Sequence, residues 1–108
     1  MNKRISTLAK AVKENPDDSF YKFTLALEML KIDETGKAKV LFEAIKNNDP
    51  EYVGVYYHLA KLYEKLDENK KALKTYKEGI KIAESQNDLH TKSELSSALL
   101  NLEFEIED

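Results

Sequence analysis

No cysteine occurs in this 108-residue chain, which removes disulfides, thiolate metal sites and a cysteine nucleophile. Three glycines and two prolines are too few for the turn-dense pattern of a β-sandwich or barrel. The glycines stand apart at positions 36, 54 and 79, so no phosphate-cradling loop can form. Histidine is scarce as well. His58 and His90 lie in no H-E-x-x-H arrangement and read as ordinary helix-surface residues, and no serine sits in a nucleophile elbow. Long apolar runs are missing, so no segment reads as a membrane span, and Met1-Asn2-Lys3-Arg4 leads into no signal-peptide core. Nor does one sign of charge dominate. With 17 Lys and Arg against 20 Asp and Glu, the net charge is -3, which argues against a nucleic-acid partner held by bulk electrostatics. These absences leave a soluble, cytoplasmic, single-domain protein over residues 1–108, expected to have no catalytic residue, no metal and no cofactor.

What the chain has in abundance is helical periodicity. Apolar residues recur at three- and four-residue spacing, broken by polar clusters at regular intervals. The pattern predicts about six helices. The first runs from about Lys3 to Asn15, the second from Ser19 to Ile32 with Asp17 or Asp18 as its cap, and the third from Lys37 to Asn47. A fourth is expected to be capped by Asp49, with Pro50 in its first turn. The fifth runs from Lys70 to Ala83 and the sixth from about Leu89 to Glu103. The acidic tail from Glu103 to Asp108 sits where the helix dipole disfavours it and is expected to fray. Other carboxylates are expected in caps and in i,i+4 ion pairs.

A shift of 34 residues lays Pro16 on Pro50, Leu25-Ala26 on Leu59-Ala60, Asp33-Glu34 on Asp67-Glu68, Lys37-Ala38 on Lys71-Ala72, and Phe42 on Tyr76. Such a period is the signature of a stacked helical array. Tyr56-x-x-Leu59-Ala60-x-x-Tyr63 followed by Ala72-x-x-x-Tyr76 resembles the tetratricopeptide pattern W-x2-L-G-x2-Y…A-x3-F. The earlier copy matches less fully, departing at Lys22, where an aromatic is preferred, and at Ile45, where a small residue is. The later copy keeps Gly79 at that small position but has Glu84 in place of the closing proline. The resemblance implies an all-α fold of antiparallel helix-turn-helix repeats in a short right-handed superhelix. Its parts are a half-repeat helix over 3–15, one repeat over 19–50, another over 53–84 and a capping helix over 88–104 that carries the stripe Leu95, Ala98, Leu99 and Leu102.

For function, the resemblance implies a protein–protein interaction module, an adaptor or scaffold that takes a peptide or helix of another protein in a concave groove. The first helix of each repeat lines that groove in the family. In this chain the second helix is apolar on two sides, with Tyr21, Leu25, Met29 and Ile32 on the packing side and Phe20, Phe23, Leu27 and Leu30 opposite. The fourth helix offers Tyr57, Lys61 and Lys65 in the same register. The expected contacts are therefore Phe20, Phe23, Leu27, Tyr57, Lys61 and Lys65, suited to a segment with an apolar anchor and an acidic group; the alternative for the Phe20 face is burial by the first and fourth helices stacked on either side. Lys70, Lys74, Lys77 and Lys81 form a basic stripe that reads as a solvated face, the alternative being a docking strip for an acidic partner. The alternative reading is a self-assembling, homodimeric repeat protein joined through the Phe20 face or the Phe104–Ile106 tail.

Overall fold

A computed structural model describes residues 3–107. Among them the regular structure is six α-helices: α1 (Lys3–Glu14), α2 (Ser19–Lys31), α3 (Thr35–Asn48), α4 (Gly54–Lys65), α5 (Asn69–Ser85) and α6 (Leu89–Glu107). The chain divides between Tyr52 and Val53 into two compact units.

In the first unit α1 packs on α2 and α2 on α3. Asp18 caps α2 as expected, its carboxylate accepting the Phe20 N–H at 3.0 Å. The core is Leu25 and Ala26 from α2 with Ala38, Phe42 and Ile45 from α3, all buried. Ala26 and Ala38 have almost no side chain, which lets the two helices approach closely, while Phe42 supplies the bulk. α1 is the lightly held element: only Ile5 is buried on it. A charge pair adds to that attachment. Glu28, 6% exposed, accepts from Arg4 of α1 at 3.2 Å and from Lys31 at 2.8 Å. The hydrogen bond from Lys31, aided by the charge of Arg4, holds the Glu28 carboxyl below its ordinary range.

In the second unit α4 packs on α5 and α5 on α6. Val55, Tyr56, Leu59, Ala60, Leu62 and Tyr63 of α4 are buried, as are Ala72, Tyr76, Gly79 and Ala83 of α5. Each large side chain withdrawn from water there contributes about 1.5–3 kcal/mol. Leu95, Ala98 and Leu102 of α6 are buried in turn. Gly79 marks the closest approach. A Cβ there would lie 2.5 Å from Cβ of Tyr56 and 3.0 Å from Cδ1 of Leu95, so no side chain fits without moving α4 or α6.

One turn is used three times. After α2 the N–H of Asp33 donates to Leu30 (3.1 Å) and that of Glu34 to Met29 (2.8 Å). After α4, Asp67 donates to Glu64 and Glu68 to Tyr63; after α5, Asn87 donates to Glu84 and Asp88 to Ala83. Asp33, Asp67 and Asn87 hold φ of 61°, 59° and 56°, the left-handed conformation that closes this helix terminus.

The structure corrects the sequence reading at several boundaries. α4 begins at Gly54 rather than Pro50, and Asp49 does not cap it. The Asp49 backbone closes α3 by donating to Ile45 (2.7 Å), and its carboxylate accepts from the Ser19 hydroxyl (2.7 Å), so its polar groups are already engaged. α3 starts at Thr35, which places Gly36 inside its first turn. α6 continues as helix through Glu107, beyond the expected stop at Glu103; Asp108, Met1 and Asn2 lie outside the described residues. Four helical ion pairs, Lys31–Glu28, Lys37–Glu34, Lys61–Glu64 and Lys71–Glu68, are spaced i,i+3. His58 is half-buried rather than a surface residue.

Candidate partner-binding site

The six residues expected to contact a partner fall three in each unit. On α2, Phe20 is 60% exposed and meets Tyr21 edge-on at 6.0 Å. Phe23 is only half-exposed, because its ring packs against Phe42 at 5.9 Å and Tyr52 at 5.5 Å. Leu27 and Leu30 are likewise half-buried. The face opposite the packing side is thus partly spent on the unit's own core, and Phe20 is its open member. An exposed ring beside half-buried ones offers an anchor that a partner can cover.

On α4 the chemistry is polar. The Tyr57 ring meets His58 edge-on at 5.7 Å, and the Lys61 ammonium lies over it, 5.8 Å from its centroid. Lys61 also reaches Glu64 at 3.8 Å, and Glu64 accepts a hydrogen bond from the Tyr76 hydroxyl. Burial, reinforced by that carboxylate, pushes the Tyr76 phenol far above its ordinary value, so it remains a donor. Tyr76 thereby orients Glu64, Glu64 restrains Lys61, and the ammonium stays near the Tyr57 face. Lys65, a turn further on, is exposed and engaged in an interaction of its own. Burial lowers the His58 pKa against the opposing pull of Glu94, which favours the neutral ring.

Two hollows were not expected from the sequence. The first is a cleft of about 680 Å3 in the first unit, lined by Glu14, Asn15, Pro16, Asp17, Asp18, Ser19, Phe20, Asp49 and Tyr52. Burial and the charges of Asp18 and Asp49 raise the Tyr52 phenol pKa there. Each acid had read as a helix-end residue, and nothing in the linear sequence signals that the α1–α2 and α3–α4 connections bring them to one cleft. The second, of about 600 Å3, lies beside Met29, Val40 and Leu41, with Val40 65% exposed. Among the described residues no group of His, Asp or Glu is placed to hold a metal, and no helix is long and apolar enough to cross a membrane.

Comparison with known proteins gives a consistent set of likenesses. The tetratricopeptide-repeat family model matches residues 53–86. The solution structure of a tetratricopeptide-repeat domain protein from Salinibacter ruber is 45% identical, superimposing with a TM-score of 0.78 over 82% of this chain and 89% of that one. A crystal structure from the same organism and of the same description gives 45% identity and a TM-score of 0.77, over 80% and 96%. Protein BPP2914 from Bordetella parapertussis shares the fold at a TM-score of 0.81 over 97% and 91%, with 22% identity. No curated protein matches.

Proposed function

The chain belongs to the tetratricopeptide-repeat family, and on that premise we propose that it is an adaptor that binds another protein, with one candidate contact surface on α2 in the first unit and another on α4 in the second. Tetratricopeptide domains generally mediate protein–protein interaction and are generally scaffolds rather than enzymes. The observation that carries the finer reading is the open Phe20 ring on α2 beside the half-buried Phe23 and Leu27. Those three supply an apolar seat. Tyr57, Lys61 and Lys65 on α4 supply an aromatic face and two cations for a carboxylate. The α2 seat fits a peptide or helix with a bulky apolar anchor, and the α4 surface fits one with an acidic residue. Because Phe23 and Lys61 are already held in place by packing and by Glu64, little side-chain freedom is lost on capture.

Selection from a random peptide library on the intact chain tests this. Enriched peptides should carry a large apolar residue or an acid; Phe20→Ala should weaken the apolar-anchored ones, and Tyr57→Ala/Lys61→Glu the acidic ones, by about tenfold or more. Peptides bound equally well by both variants, with helicity unchanged, would remove α2 and α4 as the contact surface.

A further inference from the structure

Two surfaces of the second unit are left unused by the reading above, and their chemistries are opposite. Along α5, Lys70, Lys74, Lys77 and Lys81 are exposed, and among the described residues no ion pair engages them; the lysine of this helix that does pair is Lys71, with Glu68. These four line a hollow together with Leu73 and Glu78. At the end of α6 lies the complement. Leu100, Phe104 and Ile106 are 52%, 60% and 46% exposed, and with Glu103, Glu107 and the same Leu73 they line a groove of about 330 Å3. Leu73 is the residue common to the two hollows, so the basic strip and the acidic–apolar strip adjoin on the α5–α6 hairpin. Among the described residues no ion pair links the two strips.

The placement of the acids carries a cost. Glu103, Glu105 and Glu107 stand in the last turns of α6, where the helix dipole already concentrates negative charge, and no basic residue offsets them in that turn. A helix end that departs from the favoured charge pattern beside an open apolar surface calls for a cationic partner with an apolar centre. The face that matches is on this chain. We propose that two copies associate through the α5–α6 hairpin. In this dimer Phe104 and Ile106 of each copy cover Leu73 of the other, and Glu103 and Glu107 of each meet Lys74 and Lys77 of the other. Such an interface is isologous: one self-complementary patch, used twice about a two-fold axis. It engages neither α2 nor α4, so it stands or falls independently of the peptide-binding proposal.

Sedimentation equilibrium over a range of protein and salt concentrations is the test. The unaltered chain should dimerise, and more weakly as salt rises. Lys74→Glu/Lys77→Glu and Glu103→Lys/Glu107→Lys should each raise the dimer dissociation constant by about tenfold or more, through like-charge contacts. An equimolar mixture of the two variants should recover the dimer, because each then offers the charge the other lacks. The Glu→Lys variant has a further use: lysine at a helix C-terminus is favourable, so α6 should be no less helical while association is lost. A chain that is monomeric at every concentration overturns the proposal. So do folded charge variants that still dimerise, or a mixture that stays monomeric. Library peptides that bind the variants and the parent alike would show the adaptor reading surviving that failure.

Discussion

At the position where the second unit has Tyr56, the first has Lys22; where the second has Gly79, the first has Ile45; where the second has Leu62, the first has Glu28. The three pairs occupy one 34-residue register, yet each unit closes. In the second, the Tyr56 side chain lies so near Gly79 that a Cβ could not be added. In the first, Ile45 is wholly buried and Lys22 half-buried, so bulk has moved from the first helix of the pair to the second. What the register preserves is a packed volume and a close approach at Ala26–Ala38 and Ala60–Ala72. Which helix supplies the bulk is free to change.

The largest expected effect comes from forcing the first unit to adopt the second's choice. Ile45→Gly removes a fully buried side chain and places glycine inside a helix, and should cost about 3–5 kcal/mol, read as a lowered urea midpoint. The converse, Gly79→Ala, should cost about 1–3 kcal/mol by overpacking against Tyr56 and Leu95. If Gly79→Ala were neutral, or Ile45→Gly mild, the two units would not be using the register differently and the comparison would fail.

Much of this was legible in the sequence. Six helices and the Leu95–Leu102 stripe follow from periodicity, because burial in a helix pair repeats every three to four residues, and the register that aligns Ala26 with Ala60, Ala38 with Ala72 and Phe42 with Tyr76 marks positions that the structure buries. Even the odd pair Lys22 and Ile45 was visible as a departure, though not the packing that accommodates it. Three things were hidden. Glu28 reads as one more surface acid; its burial depends on α1 and Arg4, on another helix. Phe23 reads as a groove residue, but Tyr52, in an irregular connection with no period, draws it partly inward. Asp49 reads as the cap of α4, and the competing Ser19 hydroxyl lies 30 positions away in the chain.

Acid should part the units in a defined order. His58, in the second, has its pKa lowered by burial. The unfolded chain therefore binds the proton more readily, and stability begins to fall as pH drops through the ordinary histidine value of 6.5. Glu28, in the first, is also lowered, by Lys31 and Arg4; its contribution is present above the ordinary value of 4.5 and is lost as pH falls below it. Amide exchange should accordingly show protection weakening around α4 first and around α1 only in stronger acid. Glu28→Leu, which copies Leu62, should abolish the second phase and leave the first. Loss of α1 protection already near pH 6 would overturn the assignment.

The smallest effect addresses a place where the units agree. Asp33 and Asp67 hold nearly the same φ, 61° and 59°, at the same register position, and Asn87 adopts the conformation again at 56°. A side chain costs about 1–2 kcal/mol in the left-handed region, least for Asp and Asn, while glycine costs nothing there but gives the unfolded chain about 0.4–1 kcal/mol more freedom to lose. The difference favours glycine by about 0.5 kcal/mol. Asp67→Gly should therefore raise the melting temperature slightly. Asp→Ala at either site should lower it, since alanine brings the strain without the local hydrogen bonding of a short polar side chain. If Asp67→Gly destabilised the chain, that carboxylate would be supplying a contact that the turn geometry does not require. The shared turn would then be a coincidence of backbone shape, not a common mechanism for reversing the chain between paired helices.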